Sequence, residues 1–217
     1  MEGPGMTRVP SDERRAALIQ AALAVIDRDG VSAATTRAIV AEAGMSLASF
    51  HYAFRSRDEM MRELIAFVVA NEKRVTLAAV APGTDIRTAV RAGLQAYFDL
   101  LVENPQREQA LFELMNYSLR TPELDAVPAA QYASYFAAAG ELLEYGALAT
   151  GVTWSRPVQE VARILIAIND GYTLAWLADR DAVAAGRLMD FAADTIAALA
   201  RPARPSPRPA TPQEPQP

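Results

Sequence analysis

Side chains that can bind phosphate or nucleic-acid bases are concentrated between residues 35 and 57, where the sequence reads TTRAIVAEAGMSLASFHYAFRSR. The charged groups from residue 30 to residue 57 are Arg37, Arg55 and Arg57 against Glu42 alone. Arginine, serine and threonine side chains donate hydrogen bonds to phosphates and to base edges. The chemistry that this segment predicts is therefore the binding of duplex DNA.

Catalysis and metal binding are disfavoured by what the 217-residue chain lacks. It has no cysteine and a single histidine, His51, which lies inside the segment just described. A Ser-His-Asp or Cys-His catalytic set would have to be built around His51, and histidine-rich or thiolate metal sites are impossible. We therefore predict a protein that is not an enzyme and that has no cofactor and no metal.

Composition narrows the class of partner. The net charge of −5 argues against a protein that coats nucleic acid nonspecifically, but a sequence-specific reader needs only a local basic surface. No apolar run approaches the roughly 18 residues of a membrane span, and the N-terminus has no apolar signal segment. These features predict a cytoplasmic protein without a membrane partner.

Two short helices are predicted to position the polar side chains. Thr35 is a good N-cap for a helix through about residue 43, Gly44 supplies a turn, and Ser46 caps a short helix through about residue 53. A short helix with small outward side chains fits the major groove of DNA. This arrangement is typical of a helix-turn-helix.

The rest of the chain is predicted to be helical as well, because apolar residues recur at a spacing of three to four and no segment alternates as a strand does. Ser56 and Glu59 form a capping box at the start of a long helix. Helices are expected at about 11–29, 57–79, 84–103, 106–120, 128–149, 156–179 and 182–200. Residues 201–217 hold seven of the 14 prolines and are predicted to be a disordered or polyproline II tail.

The N-terminal part resembles the TetR family of bacterial transcription regulators. The resemblance is carried by RRAALIQAALAVIDRDG, TTRAIVAEAGMS and LASFHYAFRSRDEMMREL, in this order and within about fifty residues. The chain departs from the family pattern at His51, where tyrosine is usual, at Arg57, where lysine is usual, and at Val40, where alanine is usual.

The resemblance implies an all-α fold with a three-helix helix-turn-helix head on a larger helical domain. It also implies a ligand-responsive repressor that binds a palindromic operator, a small-molecule effector, and a homodimer formed through the last two helices. The expected divisions are an N-terminal arm at 1–10, a DNA-binding domain at 11–56, an effector-binding and dimerisation domain at 57–200, and a tail at 201–217.

The expected DNA contacts follow from where each side chain stands on the short helices. Ser49 can bind a base edge, and the apolar Leu47 and Ala48 can meet a thymine methyl group. Residues near helix N-termini, and arginines, suit phosphates. The full predicted set is Thr35, Thr36, Arg37, Ser46, Leu47, Ala48, Ser49, His51, Tyr52 and Arg57.

The resemblance places an effector pocket among the middle helices. Its expected lining combines aromatic side chains with a few polar ones, as small-molecule sites do: Tyr97, Phe98, Phe112, Met115, Asn116, Tyr117, Trp154, Asn169, Tyr172 and Trp176.

Two alternatives stay open at this point. The chain could be an all-helical small-molecule-binding protein or enzyme that uses the aromatic pocket without binding DNA. It could also be a helical interaction module whose Pro/Arg tail recruits a partner.

Overall fold

The computed structural model describes residues 11–81 and 83–203, so the N-terminal arm at 1–10 and most of the tail lie outside the described residues. The helices are α1 Ser11–Asp29, α2 Thr36–Glu42, α3 Leu47–Ala53, α4 Arg57–Ala79, α5 Ile86–Glu103, α6 Pro105–Ser118, α7 Val127–Thr150, α8 Val158–Asp179 and α9 Ala182–Ala197. Short 3-10 turns lie at Val31–Ala33 and Pro122–Leu124. The expected all-α class is confirmed.

One small sheet was not predicted. Strand β1, Val152–Trp154, pairs antiparallel with strand β2, Ala200–Pro202, with Thr153 opposite Arg201. Residues 201 and 202 therefore belong to a strand, which corrects the expected start of a disordered tail at residue 201. Three residues are too few for alternation to be visible in the sequence, and Pro202 occupies the last position of an edge strand, where proline is tolerated.

The interior consists of three hydrophobic clusters. The first joins the apolar faces of α1–α3 to the first half of α4 and to α6, through side chains such as Ile26, Phe50, Leu64 and Leu114. The second packs α5 against α8 and α9, and the third packs α7 against α8 and α9. The head thus shares its core with α4 and α6.

Among the described residues, no helix is both long enough and apolar enough to cross a membrane.

Candidate nucleic-acid interface and ligand cavity

Side-chain caps begin each of the short helices of the head. Oγ1 of Thr35 accepts a hydrogen bond from the amide of Ala38 at 3.2 Å, and Oγ of Ser46 accepts one from the amide of Ser49 at 3.2 Å. Gly44 adopts φ 64° between α2 and α3, a left-handed conformation that glycine enters without a steric penalty. These local signals set the position of α3, as predicted.

The inner side of α3 is fixed by aromatic packing and by a residue that sequence reasoning missed. Phe50 and Phe54 are buried, with ring centroids 5.5 Å apart. Arg15 of α1 lies over the Phe54 ring, donates to the carbonyl of Ala53, and pairs with both Glu59 and Glu63 of α4. It ties α1 to the end of α3 and to α4, and no local pattern in the sequence reveals such a long-range contact.

The outer side of α3 carries the predicted base-reading side chains. Leu47 is 43% exposed and Tyr52 is 61% exposed, while Ala48 and His51 are also exposed. Ser49 is half-buried, and its hydroxyl lies 3.0 Å from the hydroxyl of Ser46. Tyr52 lies under the Arg14 guanidinium, whose Cζ is 5.0 Å from the ring centroid.

The one acid of α2 and α3 is paired, while a nearby arginine is exposed. Glu42, the one acid of residues 30–57, pairs with Arg28 of α1 at 3.0 Å. Arg37 is exposed on α2 and takes part in none of the ion pairs formed within residues 11–81 and 83–203. The surface beside α3 therefore presents a cation to an approaching phosphate.

Arg57 lies differently from its predicted place at the phosphate surface. Its Nε donates to the carbonyl of Ala34 at 3.1 Å and its Nη2 to the carbonyl of Val31 at 2.9 Å. The guanidinium is also 5.6 Å from the ring centroid of Tyr117. Because two of its nitrogens bind buried backbone, the structure corrects Arg57 from an outward phosphate ligand to a clamp between α4 and the 3-10 turn.

A cavity of about 150 Å³ lies among α4, α5, α6, α7 and α8. Four of the residues predicted for the effector pocket line it, namely Tyr97, Phe112, Met115 and Asn169. Val69 and Leu111 also line it, and both belong to the hydrophobic cluster shared with the head.

The other six predicted pocket residues lie elsewhere, which corrects that part of the prediction. Phe98 and Trp176 pack edge-to-face on each other at 5.5 Å, and the Tyr172 ring is buried behind Tyr97. The indole of Trp154 donates to the carbonyl of Leu143 at 3.3 Å. Phe98, Tyr172 and Trp176 belong to the core, and Trp154 packs against it.

Asn116 and Tyr117 also lie outside the cavity. The Asn116 amide is exposed and donates to the carbonyl of Phe112, one turn earlier, at 2.9 Å. Tyr117 is half-buried against the head, under Arg57.

Three carboxylates line the cavity, and sequence reasoning missed all of them: Glu72 on α4, Glu108 on α6 and Asp170 on α8. Glu108 is only 4% exposed and accepts a hydrogen bond from the Tyr97 hydroxyl at 3.0 Å. Asp170 accepts one from the Tyr132 hydroxyl at 2.8 Å. Glu72 and Glu108 look like ordinary helix charges in the sequence. Asp170 stands out, since it follows the apolar run ILIAI and Asn169.

Burial in the cavity wall changes how these acids titrate. Desolvation, reinforced by the neighbouring Glu108, raises the pKa of Glu72 well above its usual value. Desolvation also raises the pKa of Asp170, although the hydrogen bond from Tyr132 opposes the shift. Burial raises the pKa of Tyr132 to about 12, so its hydroxyl stays protonated and continues to donate.

Comparison with known proteins identifies the family. The model of bacterial regulatory proteins of the tetR family matches residues 18–64, and the model of the C-terminal part of BetI-type transcriptional repressors matches residues 86–201. The chain is also 31% identical, over 172 residues, to the HTH-type nicotine-responsive transcriptional repressor HdnoR of Paenarthrobacter nicotinovorans, a match that covers 79% of this chain and 88% of that protein. The chain belongs to the TetR family.

Further similarities agree with a TetR-family protein. The chain is 32% identical over 106 residues to the HTH-type transcriptional activator FasR of Mycolicibacterium smegmatis, which is 49% of this chain and 48% of that protein. The crystal structure of a transcriptional regulator from Pseudomonas aeruginosa PAO1 has the same fold, with a TM-score of 0.66 at 23% identity, over 88% of this chain and 94% of that one. The family and these relatives are transcriptional regulators, so this TetR-family protein is a DNA-binding regulator of transcription.

Proposed function

We propose that this protein is a ligand-responsive repressor that works in the cytoplasm, binds a palindromic operator as a homodimer, and acts by binding rather than by catalysis. The observation that carries the proposal is that α4 packs into the core of the head and also forms part of the cavity wall. The match to the BetI-type repressor model and the long match to a nicotine-responsive repressor support repression and a small-molecule response. The match to an activator covers only about half of either chain.

The operator contacts that we propose lie on the outer side of the head. Base edges are contacted by Leu47, Ala48, Ser49 and His51, which face outward from α3. Phosphates are contacted from the N-terminal ends of α2 and α3, by Arg37 and by Tyr52. The end residues are Thr35, Thr36 and Ser46.

Ligand control is proposed to pass through two helices. Glu72 and Val69 face the cavity from α4, whose first turn holds the head through Arg57. On α6, Leu111 lines the cavity, and Oε1 of Glu113 accepts the Val31 amide of the head at 3.1 Å. A ligand that favours one arrangement of these helices shifts the spacing of the two heads, typically with 1–3 kcal/mol of coupling.

The dimer interface that we propose is the outer face of α8 and α9. Large apolar side chains lie exposed there, with Phe191 61% exposed and Leu174, Val183 and Leu188 also on the surface. On α8, Tyr172 is buried and Leu165 lines the cavity, whereas Leu174 and Ala175 are exposed. A self-complementary apolar patch of this kind suits a two-fold dimer.

Substitution of Phe191 tests the interface. Phe191→Glu places a charge in the apolar patch and should give a monomer in analytical ultracentrifugation. Phe67→Glu on α4 is the matched control, because Phe67 is also a large exposed apolar residue but lies away from α8 and α9. A Phe191→Glu protein that sediments as a dimer would place the interface elsewhere.

Footprinting on the DNA upstream of the protein's own gene tests the operator. We expect protection of two inverted half-sites whose centres lie roughly 34–36 Å apart, one turn of the double helix. Protection of a single half-site, or uniform protection along the duplex, would contradict a palindromic operator read by a dimer.

A further inference from the structure

Carboxylates are the most numerous charged groups of the cavity wall, although Thr76 and Asn169 also line it and can donate hydrogen bonds. Glu72, Glu108 and Asp170 contribute three carboxylates to its wall. The one lysine of the wall, Lys73, directs its Nζ to Oε2 of Glu141 at 2.6 Å, and Glu141 is not a wall residue. The wall therefore offers acceptors to whatever occupies the cavity, and its own ammonium group is already used.

Two of these acceptors have no hydrogen-bond partner although they are buried: Oε1 of Glu72 and Oε1 of Gln131. Gln131 is only 2% exposed. Its Nε2 donates to the carbonyl of Leu111 at 3.3 Å and to the Tyr135 hydroxyl at 2.9 Å. Since a carbonyl can only accept, the Leu111 contact fixes which end of the amide carries the orphan oxygen. A buried acceptor without a donor costs free energy until a partner arrives.

The negative charge of the cavity is only partly balanced. Arg107 approaches Glu108, with Nε 3.5 Å from Oε1, and also donates to the carbonyl of Leu100. None of the ion pairs formed within residues 11–81 and 83–203 includes Glu72 or Asp170. The same residues contain no group of three or more histidines and acids placed to hold a metal ion, so an organic cation suits the wall better than a metal.

Aromatic rings complete the wall. Phe112, Tyr97, Tyr132 and Tyr135 all line the cavity. The hydroxyls of Tyr97 and Tyr132 are held by Glu108 and Asp170, which leaves the ring faces as the available surfaces. Ring faces attract cations, most strongly where water is excluded.

We propose that this cavity binds a small organic monocation, a protonated amine carried on a single ring, with Glu72 as its counter-ion and Gln131 Oε1 as the acceptor of an N–H. The volume of about 150 Å³ is that of a cavity that admits a benzene-sized ring. This inference rests on the proposed function in one respect, namely that this cavity is the effector site.

The empty cavity favours the protonated, uncharged form of Glu72. Burial and Glu108 favour that protonated form, and Arg107 opposes it. Entry of a cation should therefore release a proton and should be favoured as pH rises. The titratable and charged groups that face Glu72 from the surrounding helices are Tyr97 on α5, Arg107 and Glu108 on α6, Tyr135 on α7, and Asp170 and Tyr172 on α8.

Calorimetric titration of the full chain with two matched probes tests the inference. Benzylammonium and benzyl alcohol have nearly the same shape, and both donate hydrogen bonds. Only benzylammonium is charged at neutral pH, because its amine is protonated there as that of lysine is. We expect benzylammonium to bind at least tenfold more tightly at pH 7.5 and to release protons, seen as an enthalpy that changes with the ionisation enthalpy of the buffer.

Substitutions test whether Glu72 causes the preference for benzylammonium over benzyl alcohol. Glu72→Gln should bring the affinities of the two probes within about threefold of each other, and Asp170→Asn should reduce the preference to a smaller extent. Glu144→Gln removes the same charge from an exposed position of α7 outside the cavity wall and should behave as the wild type. Thermal unfolding of each variant checks that it folds.

Equal affinity for the two probes, no binding of benzylammonium at 10 mM, or a preference that survives Glu72→Gln would each overturn the inference. These titrations contain no DNA, so they separate the inference from the proposed function. Charge-selective binding combined with unchanged operator affinity would leave the cation site standing and would contradict the ligand-responsive repressor.

Discussion

The head and the cavity treat their charged side chains in opposite ways. In the head, Arg15 and Arg28 meet glutamates from neighbouring helices, and Arg57 meets two backbone carbonyls. In the cavity, Glu72 meets another acid, and its Oε1 has no partner. These three arginines therefore have partners in the folded chain, whereas the cavity has unfilled volume and two buried acceptors without donors.

The largest expected effect separates the packed head from the partly empty cavity. Phe50→Ala should lower the free energy of unfolding by about 3–5 kcal/mol, because Phe50 is fully enclosed in the head core. Phe112→Ala should cost less than half as much, because one side of the Phe112 ring already faces the cavity. Chemical denaturation measures both, and equal losses would remove the distinction between the two regions.

Replacing Arg57 and replacing Arg37 should affect different properties of the protein. Arg57→Ala removes the side-chain donor to the Ala34 carbonyl and one of the two donors to the Val31 carbonyl, which keeps the Ala34 amide. It should lower the free energy of unfolding by about 1–3 kcal/mol. Arg37→Ala should leave stability unchanged, but should reduce the slope of log affinity for DNA against log salt by about 0.9 for each phosphate that the variant no longer neutralises. Denaturation and salt titrations of both variants check this. A reduced slope with unchanged stability in Arg57→Ala would restore Arg57 to the residues that bind phosphate.

The smallest of these effects runs in the stabilising direction. Because the folded state raises the pKa of Glu72, the unfolded chain releases that proton first as pH rises, and stability is lost between the unfolded and folded pKa values. The Glu72→Gln protein has no carboxyl group at this position and should not lose stability in this way as pH rises. In thermal scans of the empty protein, its unfolding midpoint should match that of the wild type below the ordinary pKa of a glutamate and exceed it at higher pH. A lower midpoint at pH 8 would contradict an uncompensated buried acid.

The head could be predicted from the sequence because its determinants are local. Thr35, Ser46 and Ser56 cap the helices that follow them, and Gly44 forms the turn, all within 22 residues. Contacts that join distant segments were not predictable in this way. Arg57 was expected at the DNA surface, since nothing in its neighbourhood shows that the carbonyls of residues 31 and 34 lie within its reach.

The cavity was predicted least well, for the same physical reason. Aromatic residues at helical spacing are as suitable for a core as for a pocket, and Phe98 and Trp176 pack against each other. Glu72, Glu108 and Asp170 come from three helices and converge only in the folded chain. Glu72 and Glu108 were individually indistinguishable from solvated charges on a helix, and only Asp170 follows an apolar run.

The measurement that tests the coupling of the two regions most directly is the affinity for the upstream DNA duplex with and without benzylammonium, by fluorescence anisotropy at fixed salt. At a concentration that calorimetry shows to saturate the cavity, operator affinity should fall by at least about fivefold, the lower end of typical allosteric coupling. An operator affinity that does not change when the cavity is saturated would contradict control of the head by the cavity.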